Sequence, residues 1–301
     1  NASKKRRRAL HIVFILVKLR QARTHLMDDE IRNRFARLAA QPDADIRLDE
    51  AALLIAAEAE QDISVEHYLS ELDNLAVRFK SDDRFHTNLG IPVSALVNYI
   101  HDDLGFSGNV IDYYDPANSY LNRVIDYKHG IPISLALVHI AIGSRLGIPV
   151  SGISFPGNFL VQYGGSSGTI VDPFSGRELS RADCQTMLRQ IAGPRATLKE
   201  EYFRPASPRD VLIRMLDNLK QIFWRQKSWE ESKACIDRQL LLFPERDEFN
   251  VQLGAVYEMQ GNITLAQYTY TQVLQGASDD QLKQLASKRL LALVSDSKTI
   301  H

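Results

Sequence analysis

Cysteine is scarce in this chain. The sequence has 301 residues and only two cysteines, Cys184 and Cys235. Two thiols are too few for a disulfide framework or a cysteine-based metal cage, so a reducing compartment, most simply the cytoplasm, is the expected location. A glycine-rich phosphate loop is also missing, because Gly164 to Gly168 lies between two predicted strands and opens no helix. We therefore predict neither a metal nor a cofactor.

Long apolar runs are missing as well. No stretch approaches the roughly 18 apolar residues that a membrane-spanning helix requires. The apolar stretch from His11 to Val17 is short, and basic residues follow it without the small residues of a cleavage site. The sequence thus predicts neither a membrane span nor export.

Acidic residues are absent from the first 27 positions, which hold eight lysines and arginines. The rest of the chain is therefore acidic, although the formal net charge of the whole is only −1. The basic run from Lys4 to Arg8 has no interleaved aromatic residues on which nucleic-acid bases could stack. We interpret residues 1–27 as a solvated basic extension and do not expect nucleic-acid binding.

Helical periodicity dominates what is present. Helices are predicted for residues 9–40, for Asp49–Ala59, for the stretch that opens at Ser64, and for Ser94–Leu104 with Gly105 as a left-handed cap. Such long helical stretches with few breakers predict a predominantly helical fold.

The most apolar helix of the sequence is predicted for Ile133–Leu146. A helix that is apolar nearly all round is buried on most sides. Pro132 fits its first turn, where a missing N–H group costs nothing. Gly130 is expected to end the preceding short helix, Tyr120–Tyr127, which Asn118 can cap.

Short β-rich runs follow this central helix. Strands are predicted for Val150–Phe155, Phe159–Tyr163 and Thr169–Val171. Ser180 and Asp183 have the spacing of a capping box that opens a further helix. The fold is therefore predicted to be α+β, predominantly helical, with a small antiparallel sheet.

A 34-residue repeat marks the C-terminal third of the chain. Four pairs of residues are separated by this period: Leu219 and Leu253, Phe223 and Tyr257, Ser232 and Ala266, and Ile236 and Tyr270. The period is typical of tetratricopeptide repeats, so residues 206–301 are predicted to form tetratricopeptide-like helical hairpins. Two repeats are fewer than the three that usually give stability, so this tail is expected to pack on the preceding domain.

Five segments occur in the order and with the spacing of a known family: Tyr113–Leu121, Gly130–Leu135, Arg145–Pro149, Phe155–Val161 and Asp172–Phe174. Through these segments the chain resembles the bacterial SirB-type proteins, which combine a transglutaminase-like core with tetratricopeptide-like repeats. The resemblance implies a papain/transglutaminase-like core within residues 28–205, in which strands pack on one buried helix.

The resemblance also implies where catalytic residues would lie. Active relatives carry a cysteine at the N-terminus of the buried helix, which stabilises its thiolate, a histidine on one strand and an aspartate on the next. The matching positions are Pro132, Asn158 and Asp172. Proline offers no nucleophile and asparagine no general base, so we expect a degenerate triad without catalytic residues. Asp172 precedes a proline, and a turn role is the alternative interpretation.

A cleft is implied near the degenerate triad. Its candidate residues are Tyr114, Asn118, His129, Ser134, Asn158 and Asp172. A serine in the first helical turn, such as Ser134, is more often a backbone partner than a nucleophile. His139 is interpreted as a core residue of the apolar helix, and His101 as a histidine of a separate helix without ligand-type spacing.

Three functions stay open on the sequence alone. The first is a pseudoenzyme that binds a protein or peptide partner through the cleft and the helical repeats, with a regulatory role that rests only on the family resemblance. The second is an amide hydrolase or transferase with a rearranged site, whose nucleophile is Ser134 or Cys184. The third is a scaffold that works entirely through the tail. The sequence identifies neither the partner, nor the pathway, nor the oligomeric state.

Overall fold

The computed structural model describes residues 29–60, 63–85, 92–165 and 167–298. The basic extension 1–27 and the first part of the helix predicted for residues 9–40 lie outside the described residues. Within them, the fold is α+β and predominantly helical, as the sequence predicted.

Six helices occupy the described part of the N-terminal half. They are α1 (residues 29–39), α2 (Leu48–Ala59), α3 (Val65–Lys80), α4 (Val93–Asn98), α5 (Leu121–Tyr127) and α6 (Pro132–Leu146). Helix α4 continues into a π-helical turn, Tyr99–Asp103. Gly105 follows with a φ of 77°, a left-handed conformation that ends the helix as predicted.

Helix α6 lies at the centre of the molecule. Pro132 occupies its first turn, and Gly147 ends it with a φ of 71°. The helix contacts α2, α3 and α5, and it also contacts strands of the four-stranded antiparallel sheet, which we call the main sheet. Its apolar side chains therefore find partners on most sides, which explains why the sequence of this helix is apolar nearly all round.

Two small sheets lie against α6. In the first, β1 (Ser107–Gly108) pairs in parallel with β2 (His129–Gly130). The second is antiparallel and contains, in spatial order, β3 (Val150–Ile153), β4 (Leu160–Tyr163), β5 (Thr169–Asp172) and β6 (Arg177–Leu179). The sequence did not predict β1, β2 and β6, because strands of two or three residues carry too little alternation to be recognised.

The end of α5 differs from its prediction. The helix stops at Lys128, which adopts a left-handed conformation with a φ of 63°, and not at Gly130. Gly130 instead belongs to β2, where an added Cβ would lie 2.7 Å from the Ser134 hydroxyl oxygen. This glycine therefore permits the close approach of β2 to α6, and the prediction that it terminates α5 was wrong.

Helix α7 (Arg181–Ala192) covers the far part of the main sheet. It opens with the predicted capping box, in which the Ser180 and Asp183 side chains each accept a hydrogen bond from the other's backbone N–H group. Cys184 and Leu188 of α7 join a buried apolar cluster with Ile153 of β3. This cluster anchors the helix to the sheet.

Five helices form the described part of the tail. They are α8 (Pro208–Gln226), α9 (Trp229–Leu242), α10 (Asp247–Met259), α11 (Ile263–Gly276) and α12 (Asp280–Lys298). Helices α9 and α11 begin 34 residues apart, at Trp229 and Ile263. Gly254 lets α10 approach α11 closely, because an added Cβ would lie 2.6 Å from the Tyr270 ring. The hairpins are thus observed, and their assignment to tetratricopeptide repeats stays a prediction.

The first tail hairpin shares the main core. Helix α8 contacts α2 and α6, and one apolar cluster joins buried residues of α1 to α6 with buried residues of α8, α9 and α10. Glu58 of α2 forms ion pairs with Arg32 of α1 and with Arg238 of α9, and the Glu58 and Arg238 side chains are both buried. Helices α10 to α12 contribute to a cluster of their own. Packing of the tail on the preceding part is thereby confirmed for α8 and α9.

The helices were also compared with the requirements of a bilayer. In the parts of the chain that the structure describes, none combines the length and apolarity needed to cross a membrane.

Candidate functional site

The end of α6 that carries Pro132 lies next to the turn that follows β5. Gly108 of β1 donates its N–H to the carbonyl oxygen of Phe174 at 2.8 Å, and the N–H of Asn109 donates to the Gly130 carbonyl at 2.9 Å. Strand β1 thus joins the turn after Asp172 to the chain that leads into α6. The structure therefore brings two of the three triad positions, Pro132 and Asp172, to the same end of the helix.

The Ser134 hydroxyl is fully buried and engaged with the backbone. Its oxygen accepts a hydrogen bond from the N–H of Ile131 at 3.1 Å, and its hydroxyl lies 2.5 Å from the carbonyl oxygen of Asn118. These contacts close the first turn of α6 against the segment that precedes α5. A hydroxyl held in this way is a structural group, and its partners here supply no base.

The Asn118 side chain organises the loop beside the cleft. Its amide group donates to the Asp112 carbonyl at 2.6 Å and accepts from the Asn109 amide at 2.9 Å. Asn109 in turn accepts hydrogen bonds from the N–H groups of Ile111 and Asp112. Two buried or half-buried asparagines therefore fix the shape of this loop through backbone groups.

Two of the triad positions, Asp172 and Asn158, form hydrogen bonds within turns. One Asp172 carboxylate oxygen accepts from the Phe174 N–H at 3.0 Å, and the other accepts from the Ser175 hydroxyl at 2.7 Å. Asn158 closes a separate turn by donating its N–H to the Phe155 carbonyl at 3.0 Å. Asp172 therefore makes the local hydrogen bonds of an aspartate turn.

His129 lies at the surface. Its Nδ1 atom is 2.7 Å from the carbonyl oxygen of Tyr127, the last residue of α5, and its ring is exposed. The ring is therefore held by the chain segment just before it and does not join the contacts around Ser134.

Several exposed apolar side chains lie on the loop whose conformation the Asn118 hydrogen bonds hold. Val110 is 79% exposed and Ile111 is 95% exposed, and the rings of Tyr113 and Tyr114 contact each other with centroids 5.3 Å apart. We call Val110, Ile111, Tyr113 and Tyr114 the loop patch. The Arg225 guanidinium of α8 lies 5.0 Å from the Tyr114 ring centroid, which brings the patch beside the tail. These exposed apolar side chains therefore lie next to one another on a single loop.

A pair of histidines lies deeper, and the sequence interpretation missed it. His101 in the π-helical turn and His139 in α6 approach with their Nε2 atoms 3.1 Å apart. The Nδ1 atom of His139 is hydrogen bonded to the Tyr163 hydroxyl of β4. The interpretation of His139 as a core residue is confirmed by its complete burial, whereas its contact with His101 was not predicted. Their 38-residue separation gives no local signal, and only the tertiary fold shows the contact.

Burial sets the protonation of this pair. Desolvation lowers the pKa of His101, although the Phe106 backbone and the carboxylates of Asp102 and Asp172 favour its charged form. Desolvation, reinforced by the neighbouring His101 ring, holds the pKa of His139 well below its usual 6.5. Both imidazoles are therefore neutral near pH 7.

The comparisons with known proteins decide the family. Residues 66–217, which include all three triad positions, match the family described as the transglutaminase-like superfamily. The UPF0162 protein of Xylella fastidiosa (strain 9a5c) is 34% identical over 243 residues, which cover 79% of this chain and 86% of that protein. This chain belongs to the transglutaminase-like superfamily.

Further relatives of this transglutaminase-like protein come from distant organisms. The UPF0162 protein of Pseudomonas aeruginosa is 35% identical over 62% of this chain and 67% of its own length. The mouse protein named F-box only protein 21 is 27% identical over 54% of this chain and 27% of its own length. No solved structure matches the chain. The family match ends within α8, so it leaves the tetratricopeptide assignment untested.

The two thiols of this transglutaminase-like protein are buried. Burial raises the pKa of Cys184, which lies in the first part of α7, and raises the pKa of Cys235 to about 12. Desolvation thus disfavours the thiolate of Cys184, the form that the rearranged-site alternative would need. Among the described residues, no group of three or more histidine, cysteine, aspartate or glutamate side chains could hold a metal ion.

Proposed function

We propose that this transglutaminase-like protein is a pseudoenzyme that acts by binding a protein or peptide partner, with a regulatory role. The carrying observation is the first turn of α6, where a proline stands at the nucleophile position and the Ser134 hydroxyl bonds to the backbone. Acyl transfer needs a nucleophile next to a general base, and the described groups at this turn include neither.

The other candidate nucleophile supports the proposal too. Cys184 is completely buried and its pKa is raised, whereas a reactive thiol is partly exposed and has a lowered pKa. The amide hydrolase or transferase alternative therefore requires Ser134 or Cys184 to leave its present surroundings before it can react.

The loop patch is the surface on which we place the partner. It combines exposed aliphatic side chains with two tyrosines on a loop that hydrogen bonds from Asn109 and Asn118 hold in shape. Rigid aromatic anchors of this kind contribute strongly to interfaces because little side-chain entropy is lost on binding. The contact between Arg225 and Tyr114 makes the tail part of the same surface.

Covalent probes test the absence of catalysis. The folded protein is treated with a serine-reactive fluorophosphonate and, separately, with a cysteine-reactive iodoacetamide probe. We expect labelling no higher than in the Ser134→Ala and Cys184→Ala variants. Stoichiometric labelling that disappears in either variant would replace the proposal by the rearranged-site enzyme.

Substitutions in the loop patch test the binding role. Proteins cross-linked to the wild-type chain are identified by mass spectrometry, and the same proteins are quantified with the Ile111→Asp and Tyr114→Ala variants. We expect both variants to lose most of this cross-linking, whereas Val77→Asp, on an exposed position of α3, retains it. Equal cross-linking in all three variants would show that the partner binds elsewhere, for example through the tail alone.

A further inference from the structure

Three side chains from three elements form one hydrogen-bonded row inside the molecule. His101 belongs to the π-helical turn after α4, His139 to α6 and Tyr163 to β4. His139 and Tyr163 are completely buried, and His101 is partly exposed. Short π-helical turns are frequent at functional sites, and this one aims the His101 ring at the central helix. None of the three side chains takes part in the proposed partner binding.

The donors and acceptors of the row match when both rings are neutral. The Phe106 backbone favours the charged form of the His101 ring, as a carbonyl acceptor does, so we assign the hydrogen of the neutral His101 to Nδ1, the nitrogen that does not face His139. The free Nε2 of His101 then accepts from the Nε2–H of His139 at 3.1 Å. His139 in turn accepts at Nδ1 from the Tyr163 hydroxyl. Every donor has an acceptor in this arrangement.

We propose that His101, His139 and Tyr163 form a pH-sensitive latch that is closed while both rings are neutral and opens when they take up protons. One added proton makes the His101 Nε2 a donor, and His139 can then accept only by moving its own hydrogen to Nδ1. That shift turns the Tyr163 hydroxyl into an acceptor and leaves its hydrogen without a partner. A second proton places two N–H groups face to face, and the pair separates.

The charges around the latch do not compensate for these protons. The carboxylates that favour a charged His101 are Asp102, next to it in the chain, and Asp172 at the end of β5. Among the described residues, the charged group that acts on His139 is the protonated His101 ring, and no carboxylate offsets it. Protonation of the pair therefore favours a state in which the rings are apart and at least one reaches water.

The segments that the latch holds border the candidate cleft. Gly176, in the turn after Asp172, packs on the His101 ring so closely that an added Cβ would lie 2.6 Å from its Cγ atom. The chain from His101 leads directly into β1, which bonds to the same turn and to β2. Movement of the His101 ring therefore loosens the π-helical turn, β1 and the turn after β5 together.

Hydrogen exchange of single amides tests the latch in the full-length protein. The amides of Leu104, Phe106 and Gly108 bond to Tyr99, Ile100 and Phe174, and they report on the segment that opens. After correction for the intrinsic exchange rate, we expect their protection to fall at least about tenfold from pH 7.5 to 5.0. An open-state ring of ordinary pKa shifts the equilibrium up to tenfold for each pH unit below about 6.5. Protection in α10 and α11 should stay constant.

Two variants separate the latch from ordinary acid sensitivity. His101→Gln leaves His139 as the remaining ring of the latch that can take up a proton, so the fall in protection of the three amides should be clearly smaller than in the wild type. His129→Gln, a change at the exposed histidine beside Tyr127, should keep the wild-type response. A wild-type protein without the fall in protection, or a His101→Gln variant that keeps the fall in full, would overturn the proposal.

A second measurement covers the case in which His101→Gln does not fold. Nitrogen NMR of the wild-type rings should show His101 and His139 gaining protons together, at a pH below the ordinary histidine value of about 6.5. Independent titration of the two rings, each with its own midpoint and without exchange broadening of the β1 amides, would contradict a shared latch.

Discussion

The first turn and the middle of helix α6 differ in the groups to which their polar side chains are hydrogen bonded. At the first turn, where active relatives place their nucleophile, the Ser134 hydroxyl bonds to the backbone of two neighbouring residues. About two turns further on, His139 bonds to side chains of two other elements, His101 and Tyr163. Helix α6 therefore carries a serine bonded to the backbone near the position that the family resemblance gives to the nucleophile. Deeper in the core, where side chains are usually apolar, it carries a titratable histidine.

The largest expected effect on the free energy of unfolding comes from removing the buried imidazole of His139. His139→Ala leaves a cavity and an unpaired Tyr163 hydroxyl, so the free energy of unfolding should fall by about 3–5 kcal/mol. Urea unfolding at pH 7.5 measures this loss. The surface change Val77→Ala should stay within about 0.5 kcal/mol of the wild type. A loss below about 1 kcal/mol for His139→Ala would mean that the histidine pair contributes little to the fold.

Ser134→Ala should have the next largest effect. It removes a buried hydroxyl that satisfies the Ile131 N–H and the Asn118 carbonyl, so we expect a loss of about 1–3 kcal/mol in unfolding free energy. The exposed capping serine Ser180, changed to alanine, should cost about 1 kcal/mol or less. If Ser134→Ala were neutral in urea unfolding, the contrast between the two parts of α6 would fail.

The pH dependence of the unfolding free energy should reflect the protonation of His101 and His139. Burial lowers the folded-state pKa of His139 and His101 below the ordinary 6.5. The unfolded chain therefore binds more protons below about pH 6.5, and the unfolding free energy should fall as the pH drops from 7.5 to 5.0. The decline should be shallower in His139→Leu. Urea midpoints at four pH values provide the test, and parallel curves for the two proteins would exclude the histidines as its source.

The smallest effect concerns the thiols. Because the pKa of Cys235 is raised to about 12 and that of Cys184 is raised as well, little thiolate exists at pH 8 in the folded protein. Iodoacetamide should leave both cysteines unmodified in native buffer and alkylate both in guanidinium chloride, as intact-mass spectrometry would show. Rapid native alkylation of Cys184 would restore the rearranged site as a serious alternative.

The elements that the sequence predicted well are those with local signals. The borders of α6 follow from Pro132 and Gly147, and its burial follows from its apolar composition. The capping box of α7 is likewise a relation between residues three positions apart. The approach of Pro132 and Asp172 to one end of α6 came from the family resemblance, since no local pattern carries it.

The features that escaped prediction depend on distant partners. His101 lies in the π-helical turn after α4 and contacts His139 of α6, a residue 38 positions away in the sequence. Lys128, a residue that seldom adopts a left-handed conformation, ended α5 in place of the expected glycine. Gly130 was needed instead for its lack of a side chain beside Ser134. Tertiary packing selected these conformations against local preference.

The ion pair between Glu58 of α2 and Arg238 of α9 holds the first tail hairpin, α8 and α9, on the core. Removal of the Glu58 carboxylate would leave the buried guanidinium of Arg238 without this counter-ion, a change that costs far more than the loss of a surface pair. The first hairpin is therefore fixed to the core, and α10 is fixed as well because its Phe249 and Val256 side chains belong to the same apolar cluster. The buried apolar side chains described for α11 and α12 lie in the outer cluster instead. A partner that displaces part of the tail would therefore disturb the main core least at α11 and α12.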